Sequence, residues 1–132
     1  MSEGIEWLRV RGMGRERFAG HLADFLESIG YSVERKEVPD PPESRLTARL
    51  TRQNPAVPEG AKSLEFRLSP TSGGASLTWV APPEIEGADR GRVDRLVREI
   101  AAHLERSVLT ESHATAKVSR APDARLPWEP PR

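Results

Sequence analysis

The chain contains no cysteine. Disulfides, thiolate zinc sites and cysteine nucleophiles are excluded together by that one absence. Aromatic residues are only 5% of the chain, so aliphatic side chains must supply most of the burial. Neither sign of charge is in excess, with 20 Lys+Arg against 20 Asp+Glu. A dedicated nucleic-acid binder usually rests on surplus positive charge, so that class is disfavoured. Long apolar runs are missing too. Residues 1–10 carry Glu3 and Glu6 and have neither the apolar core of a signal peptide nor the length of a membrane span. The expectation is a cytoplasmic protein with no membrane partner.

At 132 residues, one domain is expected, large enough to bury a core without staples. Prolines at 39, 41, 42, 55, 58, 70, 82, 83, 122, 127, 130 and 131 punctuate it. Proline lacks the N–H that helix and sheet interiors require, so these positions mark loops. Between them the hydrophobic period is readable. Residues 5–11 predict a strand, with Leu8 and Val10 on one face and Ile5, Trp7, Arg9 and Arg11 on the other. Residues 15–29 predict a helix, because Phe18, Leu22, Phe25, Leu26 and Ile29 form one stripe that Gly30 ends. Gly20, inside that helix, suggests close packing. Residues 31–38 predict a second strand.

Cleaner alternation follows. Leu46, Ala48 and Leu50 point inward from 45–52, Leu64, Phe66 and Leu68 from 63–69, and Leu77 and Trp79 from 75–81. Period-two alternation of this kind gives an antiparallel sheet with one covered and one wet face. A last helix is expected from about Asp89 to Leu109, with Val93, Leu96, Val97, Ile100, Leu104 and Val108 as its stripe. The fold class is therefore α+β: a single antiparallel sheet of about five strands with two helices on one face, in the order β-α-β-β-β-β-α. The domain spans 1–110. Residues 111–132 show no periodicity and carry four prolines, so they read as a tail, disordered or docked on a partner.

Four places merit attention for function. At Gly12, Gly14, Arg15 and Arg17 a glycine-bearing turn enters a helix, where free N–H groups and the dipole suit an anion. The dinucleotide fingerprint fails there, because its third glycine position is Arg17. On the wet sheet face, Arg49 and Arg67 stand among threonines and offer contacts to a nucleic-acid backbone or an acidic protein. His21, His103 and His113 have no metal-ligand spacing, which predicts no metal and no cofactor. In the tail, Leu126, Trp128 and Pro130 form an apolar contact segment.

No nucleophile elbow, P-loop or zinc-protease motif is present. The pattern favours a non-enzymatic binding or assembly subunit that contacts another protein, or a copy of itself, through the tail. A small-ligand or anion-binding domain is the first alternative, with a cavity lined by Phe18, Leu22, Phe66, Trp79 and Leu104. Nucleic-acid binding through the Arg/Thr face is the second.

Overall fold

A computed structural model describes residues 5–55, 57–80, 87–122 and 124. Its elements are β1 (Ile5–Arg11), α1 (Arg15–Ser28), β2 (Tyr31–Pro39), β3 (Pro42–Leu50), a 3-10 turn (Glu59–Ala61), β4 (Ser63–Thr71), β5 (Gly74–Val80), α2 (Gly87–Glu111) and β6 (Lys117–Arg120). All six strands join one antiparallel sheet in the order β2-β3-β4-β5-β1-β6. The expected α+β class and element order hold, with one strand more at the end. No helix among the described residues is long and apolar enough to cross a membrane.

Alternation decides what the sheet buries. Leu46, Phe66 and Trp79 are register neighbours across β3, β4 and β5, and each is at most 2% exposed. The next inward row holds Leu68 and Leu77. Phe18, Leu22 and Leu26 of α1 and Val93, Leu96, Ile100 and Leu104 of α2 cover that face. Phe18, Leu22, Phe66, Trp79 and Leu104, named above as the lining of a cavity, are all buried side chains of this one core. They pack to at most 2% exposure, which leaves little room against them for even a water-sized probe.

The element ends follow local chemistry. Gly30, at φ +110°, ends α1 in a conformation that favours glycine, and its carbonyl accepts from the N–H groups of Thr51 and Arg52. Tyr31 is buried at the start of β2, and its hydroxyl donates to the carbonyl of Ala61. Burial pushes that phenol up to about 12. Pro39 and Pro42 face each other at the β2–β3 hairpin, and Pro70 lies one residue from the end of β4. Proline is thus tolerated at strand ends, where a ladder bond is dispensable. At Gly20 the expected close packing is absent: a Cβ there would meet nothing within 4 Å.

Two expectations about the faces and the tail are corrected. Trp7 does not share the wet face with Arg9 and Arg11. The β1–β5 register slips between Glu6 and Leu8, so Trp7 occupies a bulge. Trp7 and Leu8 are both 4% exposed. Residues 117–120, read as part of a tail, form β6 and pair with β1. One apolar residue, Val118, is too few to show period two; in the sheet it stands beside Val10 of β1. Ala116, Ala121 and Ala124 are buried on either side of the strand. Leu126, Trp128 and Pro130 lie outside the described residues.

Candidate functional site

The glycine turn is shaped by the chain around it. The Gly12 N–H donates to Gly73 O at 2.8 Å. Gly12 has φ +85°, and a Cβ there would lie 2.8 Å from Thr115 O. Glycine is required at this position by the approach of the 115–116 backbone. Gly14 is the N-cap of α1 and makes no side-chain capping bond.

The two arginines of this corner meet carboxylates of the same chain. Arg15 lies 3.4 Å from Glu37, and Arg17 lies 2.8 Å from Glu111. Glu37 also accepts from the fully buried Ser44 hydroxyl at 2.9 and 2.8 Å and from Arg35 at 2.9 Å. Burial alone would raise the Glu37 pKa. The Ser44 and Arg35 hydrogen bonds, with the charges of Arg35 and Arg15, outweigh it and hold the group below the usual carboxylate range. The structure thus sets Glu37 and Glu111 beside the arginines for which an external anion was one expected partner.

Along the contact between helices, α1 and α2 run antiparallel with two ridges in register. Arg17, His21 and Phe25 recur every four residues on α1; His103, Ser107 and Glu111 do so on α2. Arg17 pairs with Glu111, His21 bridges Ser107 and Glu111, and Phe25 stacks on His103 with ring centres 4.3 Å apart. A carboxylate only accepts, so His21 Nε2–H donates to Glu111. In the neutral ring Nδ1 then accepts from the Ser107 hydroxyl, 2.5 Å away. His103 titrates below the ordinary histidine range, first through burial, then through the charges of Arg106 and His21.

By residue type, Ser107, His21 and Glu111 match the groups of a hydrolase triad. Ser107 sits inside α2, however, where backbone N–H groups are committed to helix bonds, so it brings no oxyanion donors with it. What this set does is tie two helices together. The residues are 86 and 90 apart in sequence, so no local motif announces them. The one available signal was the matching four-residue spacing on both helices.

The uncovered face of the sheet is different. Lys36 faces Arg45, Arg45 faces Arg67, and at the far edge Arg11 faces Lys117. Among the register pairs of the described residues, wherever two charged residues face each other, both are cations. Opposed like charges destabilise a sheet, on a scale of roughly 0.2–1 kcal/mol per pair. Arg9 and Arg49 add to the same face, whose carboxylates are Glu6, Glu34, Glu43 and Glu65. Arg45 leans on Glu43 at 2.8 Å and Arg67 on Glu65 at 3.9 Å. Lys36, Arg11, Arg49 and Lys117 have no ion pair among the described residues. With Trp7 turned inward, none of the described aromatic residues stands on this face.

A groove of about 240 Å³ runs between α2 and the β1–β6 edge, over Trp7, Leu8 and Val118, with Arg98, Glu105 and Arg120 at its rim. The Arg120 guanidinium lies 4.9 Å from the Trp7 ring centre, a cation–π contact, and donates to Ala124 O at 3.1 Å. Ala124 N–H closes a turn onto Ala121 O at 3.1 Å. Among the described residues, no cluster of histidines and carboxylates could hold a metal ion. No family model, curated protein or solved structure matches the chain.

Proposed function

We propose that this chain is a non-catalytic binding domain that takes a protein partner on the uncovered face of its sheet. One observation carries the reading: the charged side chains able to do chemistry are paired with one another where the helices close on the sheet, whereas the uncovered face sets cation beside cation. An arrangement that lowers folding stability is accounted for when it serves a contact. The test is a footprint. Isotope-labelled protein is placed in unlabelled lysate of its source cells, and amide signals are followed. Shifts or broadening confined to the outward residues of β2, β3 and β4 support the proposal. Changes centred on His21 and Ser107 instead would point to chemistry at the helix seam and defeat it.

A second reading keeps the contact in the C-terminal segment, at Leu126, Trp128 and Pro130. It is favoured by the groove, which lies within reach of Ala124, the last described residue. Ending the chain after Ala124 separates the two. Under the first reading the footprint on β2–β4 survives the truncation; under the second the footprint lies instead on the groove between α2 and the β1–β6 edge and is lost with the segment.

A further inference from the structure

We infer that the row Lys36–Arg45–Arg67 receives an acidic polypeptide segment, laid across β2, β3 and β4 so that its carboxylates meet the three cations. This rests on the proposed use of the uncovered face and names the partner's chemistry.

The register fixes the row, and strand separation fixes its scale at about 4.8 Å per step, or ~10 Å in all. Carboxylates on one side of a helical segment recur at about 5–6 Å, which matches that step. Arginine donates to a carboxylate through a two-point fork, and two of the three cations are arginine.

The row is also bounded. Glu34 and Glu65 lie one same-face position along their strands from Lys36 and Arg67, and Glu43 lies one from Arg45, ~6.6 Å between Cα atoms. The Glu43 and Glu65 carboxylates reach back to Arg45 at 2.8 Å and Arg67 at 3.9 Å. A continuous phosphate backbone would run from the cations into these carboxylates. A peptide places discrete charges: its carboxylates would meet Lys36, which has no ion pair among the described residues, and exchange with Glu43 and Glu65 on Arg45 and Arg67. Stacking of unpaired bases, the other means of holding single-stranded nucleic acid, needs aromatic side chains. Trp7 is the one aromatic of the first strand, and its bulge takes it to the covered side.

Amide shift titrations test this on the full chain, with short poly-glutamate and with single-stranded RNA of equal charge. Poly-glutamate should shift β2–β4 amides, bind more tightly than the RNA, and weaken as salt is added. The double variant K36E/R45E should lose about tenfold or more in affinity for it. R95E/R106E, which makes the same change of charge on exposed positions of α2, should lose less than about twofold. If K36E/R45E does not fold, K36Q/R45Q replaces it, with loss of binding again expected.

Tighter binding of RNA, or equal loss in both variants, would overturn the inference. If neither probe binds while the lysate footprint still falls on β2–β4, the acidic segment is wrong and the binding face stands. If that footprint is missing as well, both fail.

Discussion

The two faces of the sheet handle charge in opposite ways. On the helix-covered side, charged and polar groups are joined: Glu37 is held by Ser44, Arg35 and Arg15, and His21 links Ser107 to Glu111. On the uncovered side, cations face cations across the strands, Lys36 beside Arg45 beside Arg67, and the carboxylates that reach Arg45 and Arg67, Glu43 and Glu65, do so from along the same strand. Both sides belong to one chain whose cations and carboxylates are equal in number. Composition therefore hides the difference, and only the register exposes it. Where a fold satisfies its own charges, those charges serve the fold. Where it opposes like charges in solvent, the proposed acidic partner would relieve them.

The largest expected effect is on the covered side. Phe66→Ala, in the centre of the Leu46–Phe66–Trp79 row, should lower stability by about 3–5 kcal/mol in chemical denaturation. Thr47, on the uncovered face of the neighbouring strand β3, is a matched control; Thr47→Ala should cost less than about 1 kcal/mol. Similar losses for the two would erase the contrast between the faces. A smaller effect is expected at the helix seam. His21→Ala should cost about 1 kcal/mol through the lost Ser107 hydrogen bond, with no gain or loss of hydrolytic activity on a nitrophenyl ester. Ester hydrolysis by the wild type that His21→Ala abolishes would turn this clip into a catalytic group.

The strands and helices were legible because period two and period 3.6 survive in the apolar residues alone. Leu46, Ala48, Leu64, Phe66 and Leu68 declare their face without any partner. β6 was not legible: its four residues hold one apolar side chain, and their place depends on β1, more than a hundred residues earlier. Trp7 was misplaced because a bulge breaks the alternation on which faces are read, and nothing in IEWLRVR marks the extra residue. Arg49 and Arg67 were correctly placed on the wet face, and their weight changed with the register. Arg67 stands beside Arg45 and through it Lys36, whereas Arg49 faces Ser32 and Ser63. A cross-strand neighbour is a property of pairing, which no single strand encodes.

The covered side should also respond to pH. His103 has a pKa in the folded chain below its ordinary 6.5. As pH falls through 6.5, the unfolded chain takes up a proton that the folded chain declines, so stability should fall with it. Glu37 and Glu111 titrate below the usual 4.5, so their contributions are present above that pH and lost as it falls further. Denaturant midpoints measured from neutral to acid pH should show two losses. His103→Phe keeps the stack on Phe25 and should flatten the upper one. A midpoint that rises on acidification through 6.5 would show that protonated His103 is favoured by its surroundings.

The smallest effect is the most diagnostic for the uncovered face. Lys36 has no ion pair among the described residues and faces Arg45 directly. Removing its charge with Lys36→Gln should therefore raise stability by a few tenths of a kcal/mol, a sign opposite to that of most substitutions. Gain alone is ambiguous, because a new side chain also changes strand preference. Salt separates the causes. Repulsion between exposed charges is screened at high ionic strength, so the gain should be largest in dilute buffer and vanish near 1 M salt. A salt-independent gain would assign the effect to strand preference. A loss of stability would mean that Glu34 and Glu43 already neutralise the row, and the two faces would then differ in burial alone. The predicted result, a charge whose removal steadies the fold while weakening the hold on poly-glutamate, is what separates a surface kept for a partner from one kept for the sheet.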